Sequence, residues 1–318
     1  MVKSYFLNCK VITPLFMGGA LQQAELRTQS INGVLRWWFR IAGGSFEDEK
    51  RIFGWAGETS NQGLVRIFIK EPPFQPEEFS AGQPGYNYLG FSLKLTKRRA
   101  VPENKTFDLK ISFHPKADED DIKKFFCALW LAFNLGNFGS RARRGFGSIK
   151  IEKIEEDGSH ITNNCYGLNF VPSGDLGDWI KQNLNIIKNI IKPSVRKDIP
   201  YLFENFEICI FKNDSSWQNL LNEAGEKYKN FRQKERLDDR IVFGLPIITV
   251  GKYKNLRRAS PLIFKILETG RNNYTLLIII IKPDTHEFIF HPDIKNVGWD
   301  LITNFVESFE SNLTRIYP

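Results

Sequence analysis

The chain has 318 residues, 42% of them hydrophobic and 14% aromatic, which is enough for two domains with substantial cores and excludes a disordered protein. The formal net charge of +8 fits an acidic partner such as nucleic acid without requiring one. Cys9, Cys127, Cys165 and Cys209 lie far apart with no CxxC pair, so no zinc site or disulfide framework is expected and the thiols read as reduced.

The N-terminus, MVKSYFLNCKVITP, lacks the apolar stretch of a signal peptide. The longest wholly apolar run, Phe125 to Phe133, is too short to span a bilayer. A soluble, cytoplasmic protein without membrane contact is expected.

Tyr5 to Ile12 reads as a strand closed by Thr13-Pro14, followed by a long loop with a Gly18-Gly19 turn. Ser30 is placed to cap a helix, because its hydroxyl can accept an N–H of the first turn. In that helix Ile31, Val34, Leu35, Trp38 and Ala42 form an apolar stripe at 3.6 spacing, and Gly43 and Gly44 stop it. A second short helix runs from about Glu47 to Phe53, with Ser45 as its cap and acids in its first turn.

Leu64 to Lys70, Tyr86 to Leu95 and Thr106 to Phe113 read as strands, the last alternating with period two. The next segment, ADEDDIKKFFCALWLAFNLG, reads as a helix capped by Asp118 and ended by Gly136. Its buried face is Ile122, Phe125, Phe126, Leu129 and Phe133. FGSIKIEKI closes the first half as a strand. The order β, α, β, β, α, β, with one inserted strand, predicts a ferredoxin-like domain over residues 1–155. Such a sheet carries its helices on one face and leaves the other free, a face RNA-binding domains often use.

Residues 156–205 read as a helical connecting segment containing GDLGDWIKQNLNIIKNIIK. In residues 206–318, FEICIF, PLIFKILE and YTLLIIII read as strands, the last buried on both faces by its continuous apolar character. SWQNLLNEAGEKYKNFRQKERLDDR and VGWDLITNFVESFESNL read as helices. The fold class is therefore α+β, with two ferredoxin-like (RRM-like) domains, the second more divergent. No sequence repeat links the halves.

Two stretches stand out chemically. In QSINGVLRWWFRIAGG, Arg36 and Arg40 share a helix face away from Leu35 and Trp38. Ser30, Asn32 and Gly33 lie near the helix N-terminus, where N–H groups and the dipole favour an anion. This is a phosphate cradle, or else the two arginines pair with Glu47, Asp48 or Glu49 of the next helix. Trp37 and Phe39 fit a core, an interface or a base platform equally.

The second stretch, GNFGSRARRGFGS, packs four glycines and Arg141, Arg143 and Arg144 into one loop. Its backbone N–H groups can bind phosphates, and Phe138 and Phe146 can stack bases. It lacks the GK[ST] ending of an ATP-binding loop, and its helix precedes it. The alternative is a solvated surface loop. The basic run Lys94 to Ala100, and Arg257 and Arg258 ahead of PLIF, fit either phosphate contact or a solvated turn.

Signals for catalysis are thin. His114, His160, His286 and His291 form no metal-ligand spacing, and no GxSxG elbow is present.

ITPLFMGGA, AELRTQSINGVLRWWFRIAGG, the IFG that follows and GNFGSRARRGFGSI together resemble the RAMP superfamily of CRISPR proteins. Within it the likeness is to the first RAMP subunit of type III-B (Cmr) effector complexes. It is dense in the first half and continues through VFGLP and RRASPLIF. The resemblance implies two ferredoxin-like domains and guide-RNA binding within a multisubunit antiviral ribonucleoprotein. It implies a place near the 3′ part of the guide, close to where target RNA pairs, with other Cmr subunits as partners.

The expected RNA-binding residues are Ser30, Asn32, Gly33, Arg36 and Arg40 on the first helix, and Gly139, Ser140, Arg141, Arg143, Arg144 and Gly145 in the loop, with Arg257 and Arg258 in the second half. Family members often carry lysine where this chain has Asn32, which removes one phosphate contact. Target cleavage in such complexes belongs to a different RAMP subunit, so the resemblance implies a non-catalytic chain with no cofactor. The alternative is a metal-independent, guide-processing endoribonuclease using His114.

Overall fold

The computed structural model describes residues 3–19, 23–57, 60–71, 73–161, 164–194, 199–245, 255, 259–281, 298–309 and 313–317. In chain order its first half contains β1 (Ser4–Val11), α1 (Thr28–Ile41), α2 (Phe46–Phe53), β2 (Val65–Lys70), β3 (Glu77–Glu78), α3 (Pro84–Leu89), α4 (Phe91–Leu95), β4 (Arg99–Ala100), β5 (Thr106–Phe113), α5 (Glu119–Asn134) and β6 (Ile149–Glu156). The middle holds β7 (Ser159–Ile161), β8 (Asn164–Cys165), β9 (Leu168–Asn169), α6 (Leu176–Ile191) and α7 (Leu202–Asn205). The second half holds β10 (Phe206–Asp214), α8 (Trp217–Lys234), a 3-10 turn over Asp239–Phe243, β11 (Leu262–Gly270), β12 (Asn273–Ile281), α9 (Asp300–Glu307) and β13 (Thr314–Tyr317).

Two antiparallel sheets organise these elements. The first has the order β2-β5-β1-β6, extended by β7. The second has the order β11-β12-β10-β13. In each sheet the first and third strands of a β-α-β-β-α-β unit sit side by side at the centre, the arrangement of a ferredoxin-like fold. The second unit is therefore complete. Its closing strand, β13, is short and gave no sequence signal.

Alternation along β1 and β5 sends Tyr5, Leu7, Cys9, Val11, Phe107, Leu109, Ile111 and Phe113 into the core. The opposite face stays open and carries Phe68, which is 52% exposed, beside Lys110 and Phe6. α5 begins with a capping box: Asp118 accepts the Asp121 N–H at 2.8 Å, and Asp121 accepts the Asp118 N–H at 3.2 Å. Every residue from Phe125 to Asn134 of this helix is buried.

β12 is buried on both sides, as its unbroken apolar run predicts. Leu277, Ile279 and Ile281 join the cluster that contains α1, α5 and α6. Leu276, Ile278 and Ile280 join the one that contains α8 and α9. The two units thus share a core.

Tyr86 to Leu95 is not a strand but the helices α3 and α4, broken at Gly90. Tyr86, Leu89 and Leu93 are buried at helical spacing, and Pro84 occupies the first turn. The hairpin docks on α8 through a glycine pair: a Cβ on Gly85 would lie 1.9 Å from the Asn222 carbonyl oxygen, and one on Gly225 would lie 2.1 Å from that of Gly85. Ser30 does not cap α1. The helix starts at Thr28, and Arg27 stands at the N-cap without a side-chain cap bond.

Candidate nucleic-acid interface

α1 buries Ile31, Leu35, Trp38, Phe39 and Ile41, so Phe39 belongs to the core, packed 5.5 Å from the Phe53 ring. A tight turn then brings α2 back against it. Gly43 adopts φ +87, and a Cβ there would lie 2.5 Å from that of Pro193. The Ser45 hydroxyl accepts the Asp48 N–H at 3.1 Å and starts α2, as its sequence predicts. This geometry aims Glu49, whose side chain is 3% exposed, at the two arginines. Arg36 donates to Glu49 through Nε at 2.8 Å, with Nη2 also at 2.8 Å, and Arg40 Nε stands 3.5 Å from its other oxygen. The acid expected among Glu47, Asp48 and Glu49 is therefore Glu49, and both guanidinium groups remain partly exposed around it.

The glycine-rich loop is a seam between the two units. Gly139 and Gly147 have positive φ with no room for a side chain: Cβ atoms there would lie 2.6 Å from the Phe16 carbonyl oxygen and 1.9 Å from that of Phe138. The loop is stitched to the first unit by Ser140 N–H to Phe16 (2.8 Å), Gly147 N–H to Pro14 (3.0 Å) and the Thr13 hydroxyl to Gly145 (2.8 Å). Asn137 ties it to the second, its amide donating to the Ala142 and Phe264 carbonyls at 2.6 and 2.8 Å. Phe138 and Phe146 are fully buried, so they are core residues and do not stack bases.

The three loop arginines diverge. Arg141, itself at φ +60, donates to the Ser92 hydroxyl at 2.9 Å, tying the loop to α4. Burial, aided by the nearby Arg144 charge, lowers its pKa. Arg144 reaches the second unit, donating to the Ser260 hydroxyl at 3.0 Å, the Tyr228 hydroxyl at 2.8 Å and the Phe243 carbonyl at 3.3 Å. Arg143 donates to the Ser260 carbonyl and holds its guanidinium 5.2 Å from the Trp37 ring centroid.

Ser30, Gly33 and Trp37 of α1, with Gly136, Asn137 and Arg143 of the loop, line one cavity of about 280 Å³. The structure thus unites Ser30, Gly33 and Arg143. It places Arg36 and Arg40 on the neighbouring face at Glu49, and Arg141 on the far side of the loop. Behind the cavity, the wholly buried Lys265 donates to the Gly136 carbonyl at 2.8 Å. Asn32 is half-buried and Gly145 is buried against Leu221.

Of the three readings open to Trp37 in the sequence (core, interface or base platform), the structure leaves it partly exposed in the cavity lining. Asn137 and Lys265 carried no functional signal in sequence, because their neighbours come from distant segments. Arg257, Arg258, His286 and His291 lie outside the described residues, as does the His160 side chain. His114 Nδ1 accepts the Lys116 N–H at 3.2 Å. No described helix is long and apolar enough to cross a membrane, and no described group of three His, Cys, Asp or Glu residues can hold a metal.

A split-βαβ sheet joined to a helix and a glycine-rich loop defines a RAMP protein, and residues 8–150 match the RAMP superfamily. Residues 203–317 match the Cmr1-like C-terminal region. Cmr subunit Cmr1-1 of Pyrococcus furiosus is 28% identical over 306 residues, covering 88% of this chain and 87% of that protein. Cmr1-2 of the same organism is 33% identical over 183 residues, covering 47% of this chain and 95% of that protein. The crystal structure of apo Cmr1 from P. furiosus superposes with a TM-score of 0.70 at 24% identity, over 100% of this chain and 99% of that one. A chain of the type III-B Cmr-beta complex bound to cognate target RNA gives 0.60 at 14% identity, over 96% and 100%. The chain belongs to the Cmr1 family of CRISPR RAMP proteins.

Proposed function

We propose that this chain is an RNA-binding, non-catalytic subunit of a type III-B CRISPR effector complex, contacting the 3′ part of the guide, the target, or both, with other Cmr subunits as its protein partners. Residues 1–155 and 206–318 act as its two ferredoxin-like units, joined by 156–205. The observation that carries this reading is the convergence of Ser30, Gly33 and Arg143, from the first turns of α1 and the glycine-rich loop, on one cavity. Among the described residues no side chain caps α1, so the N–H groups of its first turn can serve a phosphate beside it. Arg143, and the exposed edges of Arg36 and Arg40, supply positive charge on either side. The Cmr-beta relative seen with cognate target RNA supports the same reading.

The test is anisotropy of labelled guide and target RNA with the purified chain across a salt series, with and without Mg²⁺. Intact RNA should be bound, and log affinity should fall with log salt by about 0.7 per phosphate neutralised. Binding indifferent to salt overturns a phosphate interface. Cleavage that disappears in His114→Ala makes the chain a processing nuclease instead.

A further inference from the structure

We propose that the cavity between α1 and the glycine-rich loop takes one unstacked nucleobase of a single-stranded RNA, held against the Trp37 ring beside Arg143. The inference rests on the RNA-binding reading above and gives it a specific contact. At about 280 Å³, the space falls just below the usual range for small-molecule sites, about 300–1,000 Å³. That suits a single base and excludes a paired segment. Its walls have the chemistry of a base site: the Trp37 ring offers a π-surface that stacks with any base where the Arg143 guanidinium does not cover it, and that guanidinium, lying over the ring, can meet the attached phosphate. The Ser30 hydroxyl and the Trp37 indole N–H have no hydrogen-bond partner among the described residues, so both can serve a base edge.

Gly33 is the strongest sign. It stands inside α1, where glycine weakens a helix relative to alanine. Its φ is not in the left-handed region, and a Cβ there would meet nothing within 4 Å. Neither backbone conformation nor packing requires glycine at this point. What glycine does preserve is the open mouth of the cavity, which any longer side chain would narrow. The fold thus carries a locally unfavourable residue at an exposed helix position in the cavity lining.

Gly33→Leu and Trp37→Leu separate a base pocket from a general backbone contact. Both are compared with the unsubstituted chain by anisotropy, on a single-stranded RNA oligomer and on an abasic oligomer of equal length, with Tm as the folding control. Gly33→Leu should keep or raise Tm, because it replaces a helix glycine, yet weaken RNA binding about five- to a hundredfold, the range for loss of one stacked base. Trp37→Leu should weaken RNA binding to a similar degree. Neither substitution should alter binding of the abasic oligomer. Unchanged RNA affinity in both variants overturns the pocket while leaving RNA binding intact. An equal loss on the abasic oligomer overturns it too, since the contact is then to the backbone. If the unsubstituted chain binds no RNA, the parent reading fails and this one with it.

Discussion

Lys265 is the one lysine the described core encloses completely. Burial pushes its pKa from 10.5 down to about 7. Between those values an unfolded chain holds the proton and the folded chain does not, so the unfolded state binds more protons and stability rises with pH. The cost of the buried charge is full below pH 7 and is relieved as pH climbs from 7 to 10.5. Lys265→Met should therefore be more stable than the natural chain at about pH 6, with the gap closing towards about pH 10. A gap in Tm that does not change with pH would show that the Gly136 carbonyl keeps the ammonium charged throughout. The pair of arginines makes a second test. Arg36→Ala leaves the buried Glu49 carboxylate with only the long Arg40 contact, and should cost about 1–3 kcal/mol of stability. Arg40→Ala, at the more exposed partner, should cost less than about 1 kcal/mol. Denaturant unfolding measures both, and wild-type stability in Arg36→Ala would mean that Glu49 does not hold α2 to α1. Loss of RNA affinity in variants that stay folded would show that the same guanidinium groups also touch phosphate.

Elements whose signals are local were legible in the sequence. α5 announces itself through Asp118, three acids in its first turn and an apolar face of correct period, and β12 through its unbroken apolar run. α1 was legible as a helix but not at its start, because Ser30 resembles a cap while the chain turns helical two residues earlier without one. α3 and α4 read as a strand in sequence because Tyr86, Tyr88, Phe91 and the leucines around them suit a strand by composition. What decides the matter is Gly85 against Gly225, a contact between segments 140 positions apart that no window of sequence contains. The glycine-rich loop shows the same division. Its glycine density correctly marks a tight backbone, but the burial of Phe138 and Phe146 and the divergence of its three arginines depend on β11, α8 and α4. The candidate site was legible in half: α1 and the loop stood out as separate motifs, while the cavity they share, and Trp37 within it, exist only once the chain is folded.

At the scale of the molecule, the two sheets are alike in topology but unequal in setting. The first keeps an open face; the second is enclosed, with the helices of the first unit on one side and its own on the other. Several interactions cross from residues 1–155 to the rest of the chain. Lys10 and Lys150 on the first sheet both reach Glu268 at 2.8 Å, whose carboxylate pKa they hold down, against the effect of its burial. Trp130 donates to the Asn169 carbonyl at 2.8 Å and packs on Trp179, and Trp38 lies 6.3 Å from the Phe206 ring. Cut at residue 155, the first unit would expose the side of α5 that now faces α6 and β9, and would strand Asn137 and both lysines without these partners. Separable domains meet through modest, polar interfaces, whereas a shared apolar core couples their unfolding. The full chain should therefore unfold in a single transition, with calorimetric and van't Hoff enthalpies in agreement. A 1–155 fragment should bind a hydrophobic dye and show no cooperative transition of its own. Two resolved transitions in the full chain, matched by sharp melting of the fragment, would make the units independent and reduce the seam to a docking contact. A single transition would instead make the glycine-rich loop part of one folding unit, with α1, the loop and β11 held in fixed register around the cavity where RNA is expected to bind.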